Sequence, residues 1–341
     1  MTGAARRARR RGRLLSCLAL AFVSLSACSP PPEDREVEVR ILEGSDARKI
    51  GTELEGAGLV RHPRLFAAYV RLRGTQRRLK AGRYRIPARA SWDEILHLLE
   101  RGEVVTRPLT IPEGFTVRKI APRVARLAGV PMDSVLALAR DSAWARELGV
   151  PGPGLEGYLF PDTYHFAEGA RPSEVLAAMV ERYRGFWGTV ERGRAAALGL
   201  DERGVVTLAS IVEAEARRPE ERPIIAAVYL NRLEMGMRLQ ADPTVQFALG
   251  EPRPRLLYRD IESVAEDPYN TYTHPGLPPG PICSPGPASL EAVLNPAEVP
   301  YLFFVARPDG SHVFTTTERE HINAKNRIRR GEAVPPPTGG L

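Results

Sequence analysis

Hydrophobic and polar positions run through the same pattern twice in the first part of the chain. Val39-Arg40-Ile41-Leu42 alternates toward Glu43-Gly44, and Arg48 to Val60 then carries apolar residues at helical spacing. Seventy residues later Leu109-Thr110-Ile111 leads to Glu113-Gly114, followed by Arg118 to Val130. Each segment predicts an apolar strand, a Glu-Gly turn and an amphipathic helix. Between them Ala81 to Ile86 predicts another strand, and Ser91 an N-cap for a helix from Trp92 to Glu100 that Gly102 stops. Two copies are too few for a solenoid, so the pattern describes a small α+β module.

Residues 131–150 read as helical, and Pro151-Gly152-Pro153-Gly154 interrupts the chain. A domain boundary is therefore placed there, with one module over 37–150 and a larger α+β domain over 151–328. Within the second domain, Gly204 to Ala216 and Pro223 to Leu233 have helical spacing. From Asp242 to Pro300 the density of Pro, Gly, Tyr and Asn predicts a wall of loops, suited to a groove. Tyr301 to Ala306, the turn Pro308-Asp309-Gly310-Ser311 and His312 to Thr315 predict a β-hairpin. Residues 329–341 read as a disordered tail.

Composition and charge narrow the class. With 43% hydrophobic and 26% charged residues, the 341-residue chain is neither wholly disordered nor a polytopic membrane protein. Its net charge of +7 invites a nucleic-acid partner, but Arg6, Arg7, Arg9, Arg10, Arg11 and Arg13 lie in an acid-free start. Without those six the balance is 42 basic to 41 acidic residues, so no nucleic-acid partner is expected.

That start reads as a signal peptide over residues 1–27: arginines, then an apolar run from Leu14 to Ala27, then Leu25-Ser26-Ala27-Cys28. The run is shorter than the roughly 20 residues of a spanning helix. Leu-Ser-Ala-Cys resembles a lipobox, which makes Cys28 the expected lipidation site, with a short uncleaved anchor or plain secretion as the alternatives. Residues 28–36 then form a proline-rich tether. Removal of Cys17 and lipidation of Cys28 leave Cys283 alone, so no intrachain disulfide is expected.

Several chemistries fail on spacing. No zinc pattern, no G-x-S-x-G elbow and no phosphate loop occur, so neither a metal nor a cofactor is expected. Gly152 to Gly157 spells G-x-G-x-x-G but lacks the preceding strand and following helix of a dinucleotide site. A Cys283/His274 nucleophile pair is conceivable, although a free cysteine also serves as a small buried hydrophobe.

What remains is carboxylates among aromatics. On the helix from Gly204, residues Val205, Leu208, Ala209, Val212 and Ala216 form one stripe. Glu213 lies on its edge, and Glu215 points about 200° away from Glu213, so the two cannot form a dyad. A carboxyl desolvated on one side suits a general acid, but a solvated helix residue has the same spacing. Leu155 to Phe166 sets Glu156, Tyr158 and Asp162 among rings that could stack on sugar or fill a strand's buried face. Gln240 and Asp242 flank a proline turn, and Tyr269-Asn270-Thr271-Tyr272 opens a stiff loop ending in Gly280.

Taken in order, these segments resemble the YceG-like family of endolytic murein transglycosylases. The resemblance spans about residues 37–328, through L-E-G-Y-L-F-P-D-T-Y, A-S-I-V-E-A-E, N-R-L-E-M-G-M-R-L-Q-A-D-P-T-V, Y-N-T-Y-x-x-x-G-L-P-P-G-P-I and the final hairpin. It implies a LysM-like module before a catalytic domain with a glycan groove. It implies Glu213 as the catalytic glutamate, and Glu156, Tyr158, Gln240, Asp242, Asn270, Thr271 and Tyr272 as groove residues. The implied reaction cuts the MurNAc-GlcNAc β-1,4 bond within peptidoglycan strands and leaves 1,6-anhydro ends. The implied setting is the bacterial envelope, with peptidoglycan synthases as possible neighbours. The family usually carries a spanning helix, whereas the leader here resembles a lipobox. Two alternatives stand beside this reading. One is a lysozyme-like muramidase using Glu156, Asp162 or Asp242 as second carboxylate; the other is a non-catalytic wall-binding lipoprotein.

Overall fold

The computed structural model describes residues 35–334 apart from 191 and 252. The leader, the lipobox Cys28 and residues 335–341 of the predicted tail lie outside the described residues. The chain divides into two compact units between Val105 and Thr106.

The first unit follows the alternation of the sequence closely. Strand β1 (Glu36–Ile41) buries Val39 and Ile41, and Asp46 caps helix α1 (Ala47–Gly56) by accepting from Lys49 N at 2.8 Å. Helix α2 (Pro63–Leu72), unread in the sequence, starts on a proline and buries Phe66, Ala67 and Val70. Strand β2 (Gly82–Pro87) pairs antiparallel with β1, Val39 opposite Tyr84. Helix α3 (Trp92–Arg101) has the Ser91/Glu94 capping box and ends on Gly102 at φ 72°. Leu54, Phe66, Tyr84, Ile86, Ile95 and Leu99 make one core.

The second unit starts with strand β3 (Thr106–Ile111), which pairs antiparallel with β4 (Asp162–Ala167), Ile111 opposite Asp162. This pairing corrects the boundary placed near 151: residues 106–150 are bound into the second unit by the sheet that encloses them. Between the two strands lie α4 (Val117–Ala128), α5 (Met132–Ala139) and α6 (Ser142–Glu147). The single helical stretch expected over 131–150 is thus two helices, because Asp141 caps a new start on Ala143 N and Trp144 N.

Helices α7 (Pro172–Trp187) and α8 (Arg192–Ala197) follow, then α9 (Glu202–Glu215) and, after a 3-10 turn at Pro219–Glu221, α10 (Arg222–Glu234). Every residue from Val205 to Val212 on α9 is buried, so this helix is the core's axis and not a surface helix with one apolar stripe. The region read as loops contains α11 (Asp242–Leu249), α12 (Tyr258–Ser263) and α13 (Pro287–Leu294). Two of these carry a proline in their first turn, Pro243 and Pro287, which hid them in a proline-rich stretch. The hairpin β5 (Phe303–Ala306) and β6 (His312–Thr315) forms as predicted, and α14 (Glu318–Arg329) follows where no helix was read. The tail's first residues are ordered, with Arg330 paired to Glu332 at 2.5 Å.

Candidate active site

Three packed helices of the second unit, α9, α10 and α13, bring one polar group each to a single point. Glu213 stands in the last turn of α9, Arg222 opens α10, and Gly286 and Ser289 form the start of α13. Gly286 N donates to Glu213 Oε2 at 3.2 Å and Ser289 Oγ donates to the same oxygen at 2.7 Å. Arg222 Nε donates to Ser289 Oγ at 3.0 Å, which turns the hydroxyl hydrogen toward Glu213, and Arg222 Nη2 lies 3.6 Å from Glu213 Oε1. The Glu213 side chain is only 8% exposed. Its surroundings are therefore a set of aimed donors at a helix N-terminus, where the sequence suggested an apolar rim.

A second carboxyl reaches this point from the turn after β3. Glu113 is exposed, yet its carboxyl lies against Gly286, where any side chain would collide with it. Partial desolvation and the nearby charge of Glu213 raise it above the ordinary glutamate value, against an opposing pull from Arg222. Its neighbour Gly114, at φ 71°, donates to Ser284 O at 2.9 Å, and a methyl group there would stand 3.8 Å from Glu213 Cγ.

Gly114 and Ala214 lie on the wall of a groove of about 830 Å³, which puts Glu113 and Glu213 at its margin. Glu156, Glu215, Asp242, Arg118, Arg140, Arg217, Phe247 and His312 also line it. Glu156 accepts from Val117 N with both oxygens, at 3.0 and 3.1 Å, and burial pushes it up to about 8. Glu215 points away from Glu213, as its spacing required; it accepts from Tyr229 Oη at 3.0 Å, and burial pushes it up to about 7. Asp242 accepts from Tyr272 Oη at 2.6 Å.

The remaining predicted groove residues sort into two groups. Gln240 is exposed and holds an unusual positive φ of 51°, pinned by its N–H on Thr271 O at 3.1 Å. Three others are structural, a correction to their assignment as groove lining. Tyr158 is fully buried and packs edge-on against Tyr183. Asn270 is fully buried and ties its own loop together, donating to Ile261 O and Val264 O. Thr271 bonds Ala241 N and Thr244 Oγ1 and so sets the start of α11. The other rings near Tyr158 also face inward: Phe160 lies against Phe186, and Tyr164 against Phe166. The ring on the groove wall is Phe247, 4.8 Å from Tyr269.

Other options close on geometry. Asp162 lies off the groove, bound to Arg182 Nε at 2.8 Å, so it cannot be a second carboxylate. Cys283 is buried with its thiol on Ser210 O, burial pushes it far up, and His274 Nε2 is taken by Ala265 O. Gly157 of the G-x-G-x-x-G stretch has φ 83°, and Pro281 fills the space a side chain would take there. Among the described residues no group of three or more His, Cys, Asp or Glu is placed to hold a metal, and no helix is long and apolar enough to cross a membrane.

A model of the YceG-like family matches residues 39–327. The chain belongs to the YceG-like family. An endolytic murein transglycosylase of Bacillus subtilis is 32% identical over 307 residues, 85% of this chain and 84% of that protein. One from Streptococcus pneumoniae strain D39 is 32% identical over 330 residues, 59% of its length. A crystal structure of a yceG-like protein from Listeria monocytogenes superimposes with a TM-score of 0.59 at 32% identity, covering 85% of this chain and 99% of that one. In this YceG-like chain, sequence reasoning missed Glu113, Arg222, Ser289 and the buried pair Glu221–His312, whose Nδ1···Oε2 distance is 2.6 Å. The repeated Glu-Gly turn was the one available signal, and it was read as a turn alone.

Proposed function

We propose that this chain is an endolytic murein transglycosylase that cuts the MurNAc-GlcNAc β-1,4 bond inside peptidoglycan strands and leaves 1,6-anhydro ends. The observation that carries the reading is the poise of Glu213, held by Gly286, Ser289 and Arg222 beside a groove of about 830 Å³. Glu213 protonates the glycosidic oxygen as the bond breaks, then takes the proton of the muramic acid 6-hydroxyl as O6 closes on C1. The attacking hydroxyl belongs to the same sugar, so proximity replaces an activated water. Glu156, Gln240, Asp242 and Tyr272 serve the groove, Asp242 and Tyr272 as one hydrogen-bonded pair. The first unit is the LysM-like module, and Cys28 carries a lipid that holds the enzyme at the envelope membrane, near the synthases whose strands it trims.

Mass spectrometry of fragments released from purified sacculi tests the reading, using the chain from Ser29 onward and its Glu213→Gln variant. Anhydro-muramic ends that vanish in the variant support it; their presence in the variant rejects Glu213. A second reading, a muramidase, gains support from Glu113 as the second carboxylate such an enzyme needs. It requires reducing ends among the fragments.

A further inference from the structure

Glu213 is oriented by three donors, an N–H, a hydroxyl and a guanidinium. A general acid in that setting needs something that keeps a proton at the site. Glu113 is the group in place. It arrives from a different part of the chain, the turn between β3 and α4, and its carboxyl occupies the side-chain space of Gly286, the same residue whose N–H binds Glu213. Glycine at 286 is what lets both carboxyls meet there. The two differ in access: Glu213 is nearly enclosed, whereas Glu113 is exposed beside the groove wall formed by Gly114. We propose that Glu113 is the second carboxyl of the reaction, sharing one proton with Glu213 across Gly286; this rests on the transglycosylase reading above.

Two carboxyls and one guanidinium leave the site with a single proton to hold, since two adjacent carboxylates do not readily both ionise. Partial desolvation of Glu113 and the charge of Glu213 raise Glu113 above the ordinary glutamate value, which helps the pair keep that proton. The charged and titratable groups facing the pair are Arg222 from α10, which opposes this, and Cys283, whose buried thiol stays neutral. In the reaction the pair gives its proton to the glycosidic oxygen as the C1–O4 bond breaks. It receives one from the 6-hydroxyl as the O6–C1 bond forms. The pair ends with one proton, as it began, and no water or co-reactant is consumed.

The test is the pH profile of anhydro-end release from sacculi for the wild type, Glu113→Gln and Gly286→Ala, with melting temperature and sacculus binding measured alongside. Gly286→Ala puts a methyl group where the Glu113 carboxyl sits and keeps the N–H to Glu213. Both variants should lose at least tenfold in kcat. Their alkaline limb should move to lower pH, because a site without the second carboxyl gives up its proton earlier. Glu113→Gln, at an exposed position, should melt and bind sacculi like the wild type. A rate within twofold of wild type overturns the proposal, and so does a slower rate with an unmoved pH profile, which marks a structural role. A wild type that releases no anhydro ends rejects the transglycosylase reading itself. Normal wild-type ends with an unaffected Glu113→Gln reject the inference alone.

Discussion

The two strand-turn-helix copies began as the same local structure and ended with different chemistry. In the first, Val39 and Ile41 go inside, Gly44 turns at φ 75°, Asp46 caps the helix on Lys49 N, and Ile50 and Leu54 go inside. In the second, Leu109 and Ile111, Gly114 at φ 71°, Thr116 capping on Lys119 N, and Ile120 and Val124 repeat every step. Yet nothing lies within 4 Å of the space a side chain would take at Gly44, and Glu43 is exposed. At Gly114 that space faces Glu213, and Glu113 lies on Gly286. Local pattern fixed the backbone of both turns; only the second is packed against α9 and α13, and that packing brings its glutamate to the candidate site.

The largest effect should come from Glu213→Gln, which removes the proposed proton carrier itself. Release of anhydro ends should fall at least about 100-fold, the usual size of a general acid-base contribution. Next in size is the contrast between the copies: Glu113→Gln should cost at least tenfold, and Glu43→Gln should stay within twofold in the same assay. Equal losses would break the comparison. Ser289→Ala removes a hydroxyl bond to a carboxylate, and a loss of about tenfold in kcat matches the roughly 1.5 kcal/mol such a bond carries.

Stability sharpens the comparison from the other side. Gly44→Ala and Gly114→Ala should each cost about 1 kcal/mol in denaturant unfolding, because both turns need positive φ. A much larger loss at Gly114 would mean that the two turns differ in backbone and not in surroundings alone. The last effect concerns pH. Burial raises Glu156 from 4.5 to about 8, so between those values the folded chain holds a proton that the unfolded chain has released. Stability from this group is therefore complete below pH 4.5 and declines as pH rises through the window. Melting temperature should drop from pH 5 to pH 8, and Glu156→Gln should flatten the drop.

Much of this was legible in the sequence. The Ser91 capping box, the strands around Val39 and Leu109, helices α9 and α10 and the final hairpin all followed from local periodicity and turn chemistry. The place of Glu213 on the edge of α9 was legible, but its assignment came from the family resemblance. The domain boundary was misjudged because the Pro-Gly run at 151–154 is a strong local break, whereas the pairing of β3 with β4 is a long-range fact. Tyr158, Asn270 and Thr271 were misplaced for a related reason. Aromatic and polar side chains near a site have the same letters whether they face a ligand or knit its loops together. Ser289 and Arg222 were silent for want of any local signal, since each matters only where the N-termini of α13 and α10 meet Glu213.

The central claim is that bond cleavage here uses the sugar's own hydroxyl and no water. Digestion of sacculi in H2(18)O, with mass analysis of the new ends, tests it most directly. Muramic ends that carry the anhydro mass and no heavy oxygen are the predicted result. Reducing ends labelled with one heavy oxygen would contradict the account and make the Glu113–Glu213 site a hydrolase.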